Sequence, residues 1–132
     1  MGFFNDQPKK LISIPDYNRI DKVIKSKGNY LLVPRPWCNA LNDPMSALVL
    51  GYLVNVAKVN AGADGWIRFT QNFCANGINL VQPLQDRILS SLVDQDLIQI
   101  QMRGQGGQGV RYVMIDEQKL LELYQHTSNR AA

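Results

Sequence analysis

A chain of 132 residues, 45% hydrophobic and 19% charged with a net charge of +3, has the size and composition of one ordinary globular domain. Its longest apolar run, Ala47 to Val54, is interrupted by Gly51 and falls far short of the ~20 residues that a membrane helix needs. The two cysteines, Cys38 and Cys74, stand far apart, and His126 is the one histidine, so neither a disulfide framework nor a zinc site is expected, and no metal or cofactor.

Residues 1–15 read as an extended arm punctuated by Pro8 and Pro15. The start, Met-Gly-Phe-Phe-Asn-Asp, lacks the apolar stretch of a secretory signal and carries Asp6 where a myristoylation signal needs Ser or Thr. A cytoplasmic location is therefore the expectation. Asp16 is placed to cap a helix running to about Ser26, with Tyr17, Ile20, Val23 and Ile24 on one side. Arg19, Lys22 and Lys25 fall on another side, and Gly28 suits the stop. Residues 30–33, Tyr-Leu-Leu-Val, form a strand or an extended lead-in, closed by Pro34 and Pro36.

Asp43-Pro44 announces a helix, an N-cap acid followed by proline in the first turn. Met45, Leu48, Val49, Tyr52, Leu53, Val56 and Val59 then recur at three-and-four spacing to about Asn60. Residues 62–65, Gly-Ala-Asp-Gly, form a turn, and 66–69 have strand composition. Thr70 caps a second helix carrying Phe73 and Cys74 inward, which Asn76-Gly77 is expected to break. A third helix opens at Gln82-Pro83 with Leu84, Ile88, Leu89 and Leu92 as its stripe, ending around Gln95-Asp96. Beyond it the period changes to two. Ile98, Ile100 and Met102 alternate with Gln99, Gln101 and Arg103, a half-buried strand. A glycine-rich tip over 104–109 and a partner strand over 110–115 complete a hairpin. A closing helix over 117–124 and a disordered tail over 127–132 finish the chain.

The predicted fold class is α+β, mostly helical. Residues 44–115 read helix, short strand, helix, tight break, helix, hairpin, the order of a winged helix, in which two helices brace a third and the hairpin lies beside it as a wing. The expected organisation is a basic arm with a short helix over 1–29, a winged-helix domain over 30–126, and the tail. Charge follows this division. Residues 1–36 hold seven basic side chains against three acids, and the remainder seven against eight. A basic arm supplies phosphate attraction, through Lys9, Lys10, Arg19, Lys22, Lys25 and Lys27; a solvated basic segment with no partner is the alternative.

Several stretches resemble the winged-helix domains of plasmid and phage replication proteins, including the replisome-organiser and DnaD-like type. They are Tyr30-Leu-Leu-Val-Pro34, the apolar helix from Met45 to Val54, Asp64-Gly-Trp-Ile-Arg-Phe-Thr70, and Ile88 through Ile98 with its Leu-Val-Asp-Gln-Asp-Leu-Ile end. The resemblance covers roughly residues 30–115. It implies the winged-helix fold and DNA binding in replication or its control on a mobile element. Two departures stand out. Asp96 takes the place of the usual Gly before Leu-Ile, which Asp tolerates in a left-handed turn. The third helix is not basic: a 100° step puts Gln82, Asp86, Arg87, Ser90 and Asp94 outward.

The candidate DNA contacts are Gln82, Arg87 and Ser90 on the third helix, with Gln85 at its flank. Arg offers guanine a bidentate fit and Gln offers the same to adenine. On the wing, Arg103 and Arg111 flank a tip carrying Gln105 and Gln108. Trp37, Trp66, Tyr52, Phe69 and Phe73 read most simply as core. The tip matches Gly-x-Gly-x-x-Gly, but it joins two strands and opens no helix, so it lacks the dipole that a dinucleotide needs. No triad, metal spacing or phosphate loop points to an enzyme. Transcriptional regulation, and protein docking on the same scaffold without DNA, remain alternatives. A homodimer seamed along the 44–60 helix is also open.

Overall fold

The computed structural model describes residues 14–104 and 109–130, with side chains up to Gln125. Residues up to Tyr30 and residues from Leu31 onward form two separate compact units.

The first unit holds α1 (Tyr17–Lys27). Asp16 accepts a hydrogen bond from the Arg19 amide at 3.1 Å, and Gly28 ends the helix in the left-handed conformation at φ 67°. Lys25 pairs with Asp21 one turn back at 2.9 Å, which raises the lysine pKa through that hydrogen bond. No residue of α1 is buried. Tyr17, Ile20, Val23 and Ile24 are all exposed.

The second unit is mostly helical, with one small antiparallel sheet. Leu31–Val33 is an extended lead-in without strand pairing. It runs into α2 (Arg35–Leu41), a helix that the two prolines hid from sequence reading. Pro36 sits in the first turn, where a missing N–H costs nothing. Asn42 ends the helix at φ 51°. In α3 (Pro44–Asn60), Asp43 accepts from the Met45 amide at 3.1 Å and from the Ser46 hydroxyl at 2.8 Å. Ala47, Val49, Leu50, Tyr52, Leu53 and Val56 are buried in this one chain. Most of the stripe is thus core; Met45 and Leu48 are half-buried, and its last expected member, Val59, is exposed.

After the turn, where the Asp64 carboxylate accepts from the Trp66 amide at 3.1 Å, comes β1 (Ile67–Arg68). Thr70 then caps α4 (Gln71–Ile78) by accepting from the Phe73 amide at 3.1 Å. Asn76-Gly77 does not break this helix, which runs on to Asn79 at φ 55°. Gly77 is required there because a Cβ would strike the ring and hydroxyl of Tyr52. Cys74 points inward, but Phe73 is exposed on one side while stacking on Tyr52 with ring centroids 6.0 Å apart.

α5 (Gln82–Asp94) buries Gln85, Ile88, Leu89 and Leu92, while Leu84 is half-buried. Asp96 takes φ 61°, and the Asp96 and Leu97 amides donate to the Val93 and Leu92 carbonyls at 2.9 and 3.0 Å. The hairpin follows as β2 (Ile98–Arg103) and β3 (Val110–Ile115), and α6 (Glu117–Arg130) closes the unit, running beyond the expected end at Tyr124. The sheet order is β1-β3-β2, all antiparallel. Its inner face joins Ile67, Phe69, Ile98 and Val113 to the helices' core, where each fully buried large side chain contributes about 1.5–3 kcal/mol. Among the described residues no helix is long and apolar enough to cross a membrane.

Candidate nucleic-acid interface

α5 lies beside the hairpin, and between them runs a groove of about 460 Å³. The start of α4 supplies Thr70, Gln71 and Asn72; α5 supplies Asp86, Leu89 and Ser90; the strands supply Ile100, Met102, Val110 and Arg111. On the outward side of α5, Gln82, Asp86, Arg87, Ser90 and Asp94 are all exposed, as the 100° step requires. Gln82, Arg87 and Ser90 therefore share an open face, as expected, with two carboxylates among them.

Two of the predicted contacts are structural instead. Gln85 is 1% exposed. Its amide group donates to the Leu80 carbonyl at 2.6 Å and to the Gln71 carbonyl at 3.1 Å, bridging the α4–α5 break. Its carbonyl accepts from Arg111 at 3.0 Å. Arg111 is 7% exposed. Its Nε donates to the Phe69 carbonyl at 2.8 Å, its guanidinium lies 5.4 Å from the Phe69 ring centroid, and Asp86 stands 3.8 Å away. Burial lowers the guanidinium pKa from its very high ordinary value, opposed by Cys74 and Asp86. This arginine thus fastens β3 to α5 and to the residue that follows β1, and only its small exposed part reaches the groove.

The register explains the placement. Arg103 pairs with Val110, so Arg111 falls opposite Met102 and shares the inward parity of Ile98 and Ile100. That parity was available once 98, 100 and 102 were read as inward and the turn as 104–109. Inward parity does not mean burial along the whole strand, since Ile100 and Met102 are 37% and 60% exposed where the hairpin outruns the core. Arg103 lies on the opposite face. Its guanidinium sits 4.3 Å from the Tyr112 ring centroid and 5.3 Å from that of Trp66. It donates to Gln101 at 2.8 Å and pairs with Asp64 at 3.5 Å.

Gln105, Gln108, Lys9 and Lys10 lie outside the described residues. Arg19, Lys22, Lys25 and Lys27 are exposed on α1, in the other unit. Sequence reading missed Arg68, exposed on β1 and without an ion-pair partner among the described residues; its signal was the alternation Trp66-Ile67-Arg68. No family model matches this chain, and neither a curated protein nor a solved structure matches it.

Proposed function

We propose that this chain is a DNA-binding winged-helix protein that works in the replication, or replication control, of a plasmid or phage. One observation carries the reading: α5, braced by α3 and α4, presents Gln82, Arg87 and Ser90 uncovered beside a projecting hairpin. The order helix, strand, helix, helix, hairpin supports the winged-helix assignment, and an uncovered helix of this kind fits a major groove. The basic residues of α1 add phosphate attraction. The replication role rests on the sequence resemblance; a transcriptional regulator would differ by protecting two half-sites of a palindrome.

The test is fluorescence anisotropy of random duplex DNA across a salt series. Binding should weaken steeply with salt. Arg87→Ala should weaken it about tenfold, the scale of one good base or phosphate contact. Neutralising Lys22, Lys25 and Lys27 to Gln should flatten the salt slope. No binding at low salt sinks the reading. It would favour a second one, a protein-docking module, for which the specific observation is Asp86 and Asp94 on the same open face as Arg87.

A further inference from the structure

Strand alternation normally leaves the outer face of a small sheet polar. Here that face carries two large aromatic rings. Tyr112 stands on the central strand, paired with Arg68 on one side and Gln101 on the other, and cross-strand partners point to the same face. Trp66 reaches the same face from just before β1, and Arg103 bridges both rings. Trp66 and Tyr112 are half-buried, whereas Arg68 and Gln101 are exposed. The far end of the face is different: near Gln99 and Met114 lie Asp96, Asp116 and Glu117, together with the cation Lys119, paired to Asp96 at 3.5 Å. Arg68 and Arg103 thus meet the aromatic surface at Tyr112, with Trp66 on the Met114 side and Asp64 paired to Arg103 at 3.5 Å.

Aromatic rings and a guanidinium plane on an open, positively charged strand face are what unpaired bases stack on, while the cations hold the phosphates. Duplex DNA has no use for such a face, because its base faces are already covered by each other. We propose that the outer face of the sheet, centred on Tyr112 with Trp66, Arg68 and Arg103, binds a short single strand of nucleic acid. The site lies on the side of the hairpin opposite the α5 groove. It goes beyond the duplex-binding function and stands or falls separately from it.

The experiment uses the full chain with oligo-dT, oligo-rU and a duplex of equal length, followed by tryptophan emission and anisotropy at low salt. Single strands quench Trp66 as bases stack on it, and the quenching disappears in Trp66→Phe, where buried Trp37 is the remaining indole. Tyr112→Leu weakens single-strand binding about tenfold, the lower range for loss of one stacked base. Arg68→Gln, whose side chain has no hydrogen-bond or ion-pair partner among the described residues, weakens it several-fold and reduces the salt slope; its urea midpoint stays unchanged, so it serves even if Tyr112→Leu folds poorly. Duplex affinity is unaltered in both variants. Binding of either single strand with these losses supports the site. Absence of binding to both overturns it without touching the α5 reading, and losses that fall equally on the duplex overturn it as a site for single strands.

Discussion

Arg103 and Arg111 stand on the two strands of one hairpin, with only the turn and one register step between them, yet they do opposite work. Arg111 turns inward, where two hydrogen bonds tie it to Phe69 and Gln85 under near-complete burial. Arg103 turns outward, partly exposed, over two aromatic rings. The first is a fastening that happens to carry charge; the second remains within reach of a ligand. In a two-faced sheet, parity decides whether a cation belongs to the fold or to the surface.

The sharpest way to break this comparison is to remove each arginine in turn. Arg111→Ala leaves the Phe69 and Gln85 oxygens buried and unpaired, and should cost about 3 kcal/mol by urea denaturation. Arg103→Ala gives up an exposed cation–π contact and should cost about 0.5–1 kcal/mol. Equal losses would end the distinction. Gln85→Leu strands Arg111 and two backbone carbonyls, for about 2 kcal/mol. Combined with Arg111→Ala it should be less than additive, because both act on one network; simple additivity would deny the network.

Close packing on the inner side gives a smaller effect of unusual sign. Alanine for glycine inside a helix normally gains about 1 kcal/mol. At Gly51 a Cβ would lie 2.7 Å from the Leu32 carbonyl oxygen, so Gly51→Ala should instead lose about 1 kcal/mol. A raised melting temperature would show that the lead-in moves freely. The smallest effect concerns alkaline pH. Burial raises the Cys74 thiol above its ordinary value of 9.0, and it also raises the Tyr52 phenol. The unfolded chain then loses these protons first, so their contribution is complete below about pH 9 and fades as pH rises through the raised values. The urea midpoint should fall as pH rises above about 9, and less so in Cys74→Ala; an identical fall in that variant would clear Cys74 of any part in it.

Elements with local chemistry were legible from the residues. Asp43-Pro44, Thr70 and Asp96 each act on their own backbone neighbours, and Pro83 sits in the first turn of α5 as its sequence position suggests. What escaped depends on distant partners. Position 77 is glycine because Tyr52, on another helix, occupies the space a Cβ would need. Val59 keeps the helical period but extends past the layer that would cover it. Of the candidate site, the open face of α5 followed from periodicity alone. The inward turn of Arg111 follows from strand parity across the hairpin, whereas Gln85 is drawn inside by the α4–α5 break and by Arg111, partners that no local pattern encodes.

The Arg111–Phe69 bond joins residues 42 apart in sequence, and the β1–β3 pairing spans a similar distance. The β2–β3 hairpin and the α4–α5 pair are, by contrast, built from near neighbours. Long loops close at an entropic cost before their contacts reward it. The expected order of assembly is that hairpin and helix pair form early and the arginine locks one onto the other late. A mutation at this clasp should leave the folding rate nearly untouched and appear almost wholly as faster unfolding, so the lifetime of the native state, more than its speed of formation, is what Arg111 controls.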